Sequence, residues 1–111
     1  MHELAITMNI LELAEREARK HEAQRINKIK LKIGEFTGVV REALEFAFEV
    51  ARQGTLAEQA TLDIEIVPLR KKCPLCGKES GGGYDFFCAD CQTAVEIVSG
   101  REMQVEYVDL D

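Results

Sequence analysis

Two groups of residues in this sequence have the types and spacing to bind metal ions. All four cysteines fall in two pairs, Cys73-Pro74-Leu75-Cys76 and Cys88-Ala89-Asp90-Cys91, with eleven residues between Cys76 and Cys88. A two-residue gap lets both thiolates of a pair converge on one ion, and tetrahedral zinc takes four such soft donors. The separation between the pairs is shorter than the commonest zinc-ribbon spacing and suits two knuckles joined by a hairpin. Two disulfides, or two redox dithiols, are the competing readings. Nothing else points to secretion, and paired Cys-x-x-Cys motifs are characteristic of Zn(II) sites. A dithiol oxidoreductase would need a low-pKa cysteine outside a closed metal site. At the other end stands Met1-His2-Glu3. A histidine at position 2 is large enough to keep Met1 in place. The Met1 amine, the His2 amide nitrogen and the His2 imidazole can then form two fused chelate rings on one metal. Such nitrogen-rich, planar coordination favours Ni(II) or Cu(II) over zinc. Taken alone, a second-position histidine is equally compatible with an exposed residue of no function.

The remaining composition narrows the function. The sequence has no serine–histidine pair in a catalytic context and no paired-carboxylate motif. Gly81-Gly82-Gly83 lacks the Lys-Ser/Thr that would make it a phosphate loop, and reads as a hairpin tip. The expectation is therefore a protein that is not an enzyme. A formal charge of −6 argues against nucleic acid, whose phosphates need a basic surface. The short run Arg70-Lys71-Lys72 is better used to offset the double negative charge of a zinc–tetrathiolate centre. No stretch approaches the ~20 apolar residues of a membrane span, and no basic and apolar leader is present. The expected location is cytoplasmic, with reduced thiols.

These ligands must be positioned by a small set of elements. Leu4, Met8, Leu11, Ala14 and Ala18 recur at helical spacing, with Glu3 in the first turn and Arg19 and Lys20 in the last, predicting a helix over 4–20. His21, beyond its end, is expected to be exposed. Ile29, Leu31 and Ile33 alternate with Lys28, Lys30 and Lys32, which predicts a half-buried strand ended by Gly34. A second amphipathic helix follows, with Val40, Ala43, Leu44, Ala47, Val50 and Ala51 inward, Phe46 and Phe48 flanking, Thr37 or Gly38 capping, and Gly54 at the end. Leu62, Ile64 and Ile66 predict a second strand closed by Pro68. Met103, Val105 and Tyr107 predict a last strand, facing opposite to Glu102, Gln104 and Glu106. Lysines facing outward from the first strand can pair with acids on both neighbours, which places that strand in the middle.

The expected fold is α+β: a three-stranded sheet with two amphipathic helices, plus an inserted zinc-ribbon-like module with two Cys-x-x-Cys knuckles. Residues 1–69, completed by a C-terminal strand over 98–111, would form one α/β domain carrying the N-terminal chelate, and 70–97 the zinc-binding domain. Tyr84, Phe86 and Phe87 would supply apolar cover for a metal module too small to build its own core.

Met1-His2-Glu3, the segment Lys32-Ile33-Gly34-Glu35 before a helix holding Phe46 and Phe48, the Cys-x-x-Cys pairs and Ser99-Gly100-Arg101-Glu102-Met103 occur in an order that resembles the HypA/HybF family of hydrogenase-maturation nickel metallochaperones. The resemblance covers essentially the full length. It implies a carrier of transferable Ni(II) with a structural Zn(II), working with a HypB-type GTPase and the precursor of the [NiFe]-hydrogenase large subunit. Some members also serve urease maturation, which adds urease maturation proteins to the implied partners. A monomer or weak homodimer is expected, with neither nucleic acid nor membrane as partner. His2 matches the essential nickel ligand, with the Met1 amine and the Glu3 backbone amide as further ligands, the Glu3 carboxylate orienting the site or a partner. Cys73, Cys76, Cys88 and Cys91 match the zinc ligands. Where some members place an acid that completes the nickel shell, this chain has Val40, and Glu42 is a distant substitute. Where some members carry histidines after the cysteine pairs, it has Gly77-Lys78 and Gln92, which favours a fixed four-cysteine site. The alternative from a different class is a zinc-ribbon interaction scaffold without nickel transfer.

Overall fold

The computed structural model describes residues 3–111, so the expectations for Met1 and His2 lie outside the described residues. In chain order the elements are α1 (Glu3–Lys20), β1 (Ile26–Gly34), a 3-10 turn (Glu35–Thr37), α2 (Arg41–Ala51), β2 (Thr61–Val67), β3 (Arg70–Lys72), β4 (Glu79–Gly81), β5 (Phe87–Cys88), β6 (Thr93–Ala94), β7 (Glu96–Ser99) and β8 (Met103–Leu110).

The alternation in β1 sends Ile29, Leu31 and Ile33 into the core, each at most 2% exposed, and leaves its lysines on the opposite face. β1 is the middle strand, in the order β2-β1-β8, parallel to β2 and antiparallel to β8. Its lysines reach acids on both sides. Lys28 and Lys30 contact Asp63 at 3.4 and 3.3 Å, Lys30 contacts Glu65 at 3.6 Å, and Lys32 contacts Glu106 at 3.5 Å. Asp63 titrates accordingly. Partial burial pushes its carboxyl up, but hydrogen bonds and charge from Lys30 and Lys28 outweigh this and hold it below the ordinary 3.8. A depressed folded pKa gives stability that is present above the unfolded value and is lost as pH falls through the folded one. Removing Asp63 should therefore matter at neutral pH and cease to matter in strong acid. Chemical denaturation of Asp63→Asn is expected to show a deficit at pH 7 that vanishes in strong acid, below the depressed folded pKa.

The parallel β1–β2 pair requires a crossover, and α2 supplies it on the core face. α1 lies beside α2 with the same direction. The Glu3 carboxylate accepts from the Val40 amide (3.4 Å) at the start of α2, and the Glu15 carboxylate accepts from the Leu56 amide (3.4 Å) beyond its end. Leu11, Ala14, Ala18, Leu44, Phe48 and Ile64 close the core with the β1 side chains. The helix stripes are narrower than their periodicity suggests. Thr7 is buried where Met8 was expected, while Leu4 and Met8 stay more than half exposed. In α2, Phe48 is buried and Phe46 is 72% exposed. Val40 is the N-cap residue and donates no side-chain cap; the Thr37 hydroxyl instead accepts from the Val39 amide.

Tyr107 is on the other face from the one expected. The pairing steps from Lys30–Tyr107 to Leu31–Val105, so Glu106 is an extra residue in β8. A bulge of this kind reverses the inward–outward phase beyond it. Val108 and Leu110 then pack on the core, and Tyr107 joins the lysine face, its ring 5.8 Å from Lys28 Nζ. Together with Asp63, Tyr107 raises the Lys28 pKa above its usual value, the Tyr107 hydrogen bond contributing most.

A second small sheet, in the order β4-β3-β7, and a two-stranded ribbon, β5-β6, carry the cysteines. The chain leaves the first sheet through Pro68-Leu69 and returns through Gly100-Arg101-Glu102. The residues that join the two parts are those of the Lys32–Glu35 and Ser99–Met103 segments. Gly34 N donates to the Glu102 carbonyl (2.6 Å), Phe36 N to the Gly100 carbonyl (2.8 Å), Leu69 N to the Glu35 carboxylate (2.7 Å), and the Ser99 hydroxyl to the Pro68 carbonyl (2.8 Å). Gly100 has φ +110, and a Cβ there would stand 2.8 Å from Leu69 Cα.

Candidate metal centre

The two cysteine pairs fold as two similar knuckles. In the first, the Gly77 amide donates to the Cys73 carbonyl (3.0 Å) and the Cys73 amide to the Lys78 carbonyl (3.0 Å), closing a tight turn. The residue after each second cysteine is left-handed, Gly77 at φ 77 and Gln92 at φ 53. Glycine adopts this without cost; Gln92 is held by its side-chain amide donating to the Ala89 carbonyl at 2.7 Å. The paired β5 and β6 bring the second knuckle against the first, and the Lys78–Asp90 pair spans them at 3.9 Å.

The four Sγ atoms lie within 4.8 Å of one another, and Cys76 Sγ and Cys88 Sγ are 3.9 Å apart. Zn–S bonds of about 2.3 Å in a tetrahedron place the sulfurs about 3.8 Å apart, so the donor set fits zinc with little adjustment. All four cysteines are free. Cys73 and Cys88 are buried, Cys91 is half-buried and Cys76 is exposed. The four thiols do not ionise alike. The amides of Cys76 and Leu75 donate to Cys73 Sγ and bring that thiol down to about 6. The neighbouring thiols, Cys76 first, push Cys91 up to about 12. Four thiols this close cannot all ionise without a cation, and a divalent metal supplies the missing charge.

One sequence expectation about the module changes. Lys71 is only 3% exposed; its ammonium donates to the Asp85 carbonyl at 2.7 Å and lies 4.9 Å from the Phe86 ring centroid. It therefore pins the 83–86 loop. Of the three aromatic residues expected to cover the module, Tyr84 and Phe87 line one pocket with Cys73 and Cys88. Phe86 and Tyr84 pack on Phe36 of the 3-10 turn, with centroids 5.6 and 6.4 Å away, and the Arg101 guanidinium lies 6.0 Å from the Phe36 ring centroid. Tyr84 and Phe87 remain largely exposed. The cluster joins the cysteine module to the helix-covered sheet. Its composition was visible in the sequence, but its partner Phe36, some fifty residues away in the chain, was not.

At the other candidate site only Glu3 falls among the described residues. Its carboxylate is engaged with the Val40 amide, which ties the start of α1 to the start of α2. Val40 and Glu3 are thus neighbours in space.

A family model described as "Hydrogenase/urease nickel incorporation, metallochaperone, hypA" matches residues 1–110. The chain is 41% identical to the hydrogenase maturation factor HypA of Geobacter sulfurreducens and 39% identical to that of Geobacter metallireducens, covering the whole of both partners in each comparison. Among solved structures it is similar to the Ni metallochaperone HypA from Helicobacter pylori, with TM-score 0.71 and 26% identity over 99% of this chain and 97% of that one. A second solution structure of a HypA protein matches with TM-score 0.75 and 26% identity, covering 100% of this chain and 97% of that one.

Proposed function

The chain belongs to the HypA family of hydrogenase and urease nickel-incorporation metallochaperones, and on that premise we propose that it takes up Ni(II) at its N-terminus and passes it to a maturing [NiFe] hydrogenase. The observation that carries this reading is that one family model takes in both Met1-His2-Glu3 and the four-thiol cage. The zinc-ribbon scaffold without nickel is not favoured, because the match runs the length of the chain rather than over the cysteine module alone.

In this reading Ni(II) is cargo. The His2 imidazole is the principal donor, with the Met1 amine and backbone nitrogens through Glu3 completing the shell. The engagement of the Glu3 carboxylate by Val40 N supports a positioning role for that side chain, which leaves its backbone amide as the candidate donor. These nitrogens bind metal only when deprotonated, so nickel affinity should fall with pH. A site at a chain terminus also leaves room for an acceptor ligand to attack before the donor lets go. Cys73, Cys76, Cys88 and Cys91 would hold Zn(II), which supplies the charge and cross-linking that shape the knuckles. Residues 1–69 with the C-terminal strand would act as the nickel-binding domain and 70–97 as the zinc-binding domain. A HypB-type GTPase and the large-subunit precursor are the proposed partners, with urease maturation proteins as further clients. Four free thiols suit a reducing compartment, and the cytoplasm is the proposed location.

Calorimetric titration of Ni(II) tests the reading. His2→Ala is expected to lose about 100-fold in affinity or more, since losing a ligand should cost at least as much as losing a partner that only orients one. One residue added before Met1 should alter the nickel absorption spectrum if the amine is a ligand. Equal affinity in wild type and His2→Ala would refute the assignment.

A further inference from the structure

The four sulfurs of the cage differ in how much protein surrounds them. Cys73 is 1% exposed, and its Sγ accepts hydrogen bonds from the Leu75 amide (3.4 Å) and the Cys76 amide (3.5 Å). Cys88 is 7% exposed and Cys91 half-buried. Cys76 is exposed, and among the described residues no amide donates to its Sγ. The two knuckles differ at the residue after the second cysteine. Gln92 folds its side chain back to the Ala89 carbonyl (2.7 Å) in the Cys91 turn, whereas Gly77 has no side chain to lay beside Cys76. Leu75, the residue before Cys76, is itself 71% exposed and offers little cover.

These differences bear on reactivity. A cysteine bound to zinc is held as the thiolate, the form that electrophiles and oxidants attack. Amide hydrogen bonds stabilise a thiolate and make it a weaker nucleophile, and burial keeps reagents away. Susceptibility to oxidation follows thiolate character and exposure, and a second cysteine nearby captures the oxidised sulfur. Cys76 meets each condition. It is the exposed donor, it lacks amide bonds, and its Sγ lies 3.9 Å from Cys88 Sγ.

We propose that Cys76 is a modification site: the thiolate of the cage that a peroxide attacks, with Cys88 as the resolving thiol. In the first step the Cys76 sulfur bonds to one oxygen of hydrogen peroxide. The O–O bond breaks, hydroxide leaves, and Cys76 becomes a sulfenic acid, oxidised by two electrons. In the second step the Cys88 thiolate attacks the Cys76 sulfur. The S–O bond breaks, a second hydroxide leaves, and a Cys76–Cys88 disulfide forms. Two of the four donors are then spent, and the remaining pair, Cys73 and Cys91, is too few for a structural zinc site. Zinc is lost, and a thiol reductant restores the donors. The order of the cysteine module thereby becomes conditional on a reducing environment. The inference rests on the zinc reading above and adds to it which ligand yields first.

The test uses the full-length protein, with its zinc content measured before treatment. With iodoacetamide below one equivalent, mass spectrometry of the digest should find Cys76 alkylated about ten-fold more than Cys73 or Cys88. With hydrogen peroxide, the first disulfide should join Cys76 to Cys88, and a chromogenic chelator should register one zinc released per disulfide. Dithiothreitol with added zinc should reverse both changes. Cys76→His keeps a zinc donor in place of the thiol, so it should bind zinc yet lose it to peroxide about ten-fold more slowly than wild type. Should that variant not fold, the wild-type labelling and disulfide map decide alone. The proposal is overturned if alkylation is even across the cysteines or first at Cys91, if the first disulfide lies elsewhere, or if Cys76→His loses zinc as fast as wild type. A protein that binds no zinc would refute the zinc reading and this proposal with it; a zinc-loaded protein that reacts first at another cysteine would refute the proposal alone.

Discussion

Cys73→Ser, or removal of zinc by a chelator, is expected to unfold residues 73–95 while the helix-covered sheet stays folded. The cysteine module has strands of two to four residues, and its side chains beyond Lys72 contribute nothing to the main hydrophobic core. Cys73 and Cys88 are the buried residues between 73 and 95, so sulfur occupies the positions where another small domain would have leucine or valine. Structural zinc sites contribute on the order of 10 kcal/mol of folding free energy, far more than these short ladders could. Cys73 is the most damaging single choice because its sulfur collects two amide hydrogen bonds and lies deepest. Amide exchange should show loss of protection in β5 and β6 with β1 unchanged. Acid should act in the same direction. Binding must displace protons, above all from Cys91, whose metal-free thiol is pushed up to about 12, so zinc affinity falls as pH falls. A module that keeps its exchange protection in chelator would show that zinc is not what folds it.

The second large effect is expected at Gly34. A Cβ there would lie 2.0 Å from the Gly100 oxygen and 2.6 Å from Arg101 N, both backbone atoms that no rotamer change can move. The neighbouring hydrogen bonds, Gly34 N to Glu102 and Phe36 N to Gly100, hold the two segments at this distance. Gly34→Ala must therefore separate the end of β1 from the returning chain, and the loss should be on the order of 3 kcal/mol, at the upper end for overpacking. Gly38→Ala is the control. Its φ of +75 strains alanine, but nothing lies within 4 Å of the added carbon, and a cost of about 1 kcal/mol is expected. Urea denaturation would decide between them; equal losses at the two glycines would remove the close-approach argument. Because Gly34 sits where both parts of the molecule meet, its substitution should also loosen the packing of Phe36 on Phe86, readable as altered ring resonances.

Much of this architecture was legible because it depends on short-range periodicity. The lysine–isoleucine alternation of β1 specifies one buried and one charged face. Acids at the matching positions of the other two strands place β1 in the centre, as observed. The cysteine quartet was equally plain, since two-residue spacing within each pair already fixes two donors on one side of a knuckle. The errors have a common origin in features that period alone does not encode. One inserted residue, Glu106, reverses the facing of Tyr107 without any local marker. Lys71 reads as one of three solvated cations, yet alternation in β3 turns it inward to carbonyls that belong to a loop twelve and more residues on.

By itself, then, the amino-acid sequence determined the elements, the central place of β1, the four-thiol ligand set and, through the order of its motifs, the family. These follow from chemistry confined to a few neighbouring residues: side-chain period, ligand spacing and charge matching across a strand pair. The tertiary structure alone decided which glycines are irreplaceable, which aromatics join the cysteine module to the sheet, and on which face of β8 Tyr107 lies. Each of these is a contact between segments far apart in the chain. Such contacts depend on backbone register and close approach, and register is set only when the bulge, the crossing at Gly34 and Gly100, and the packing of α1 are satisfied together.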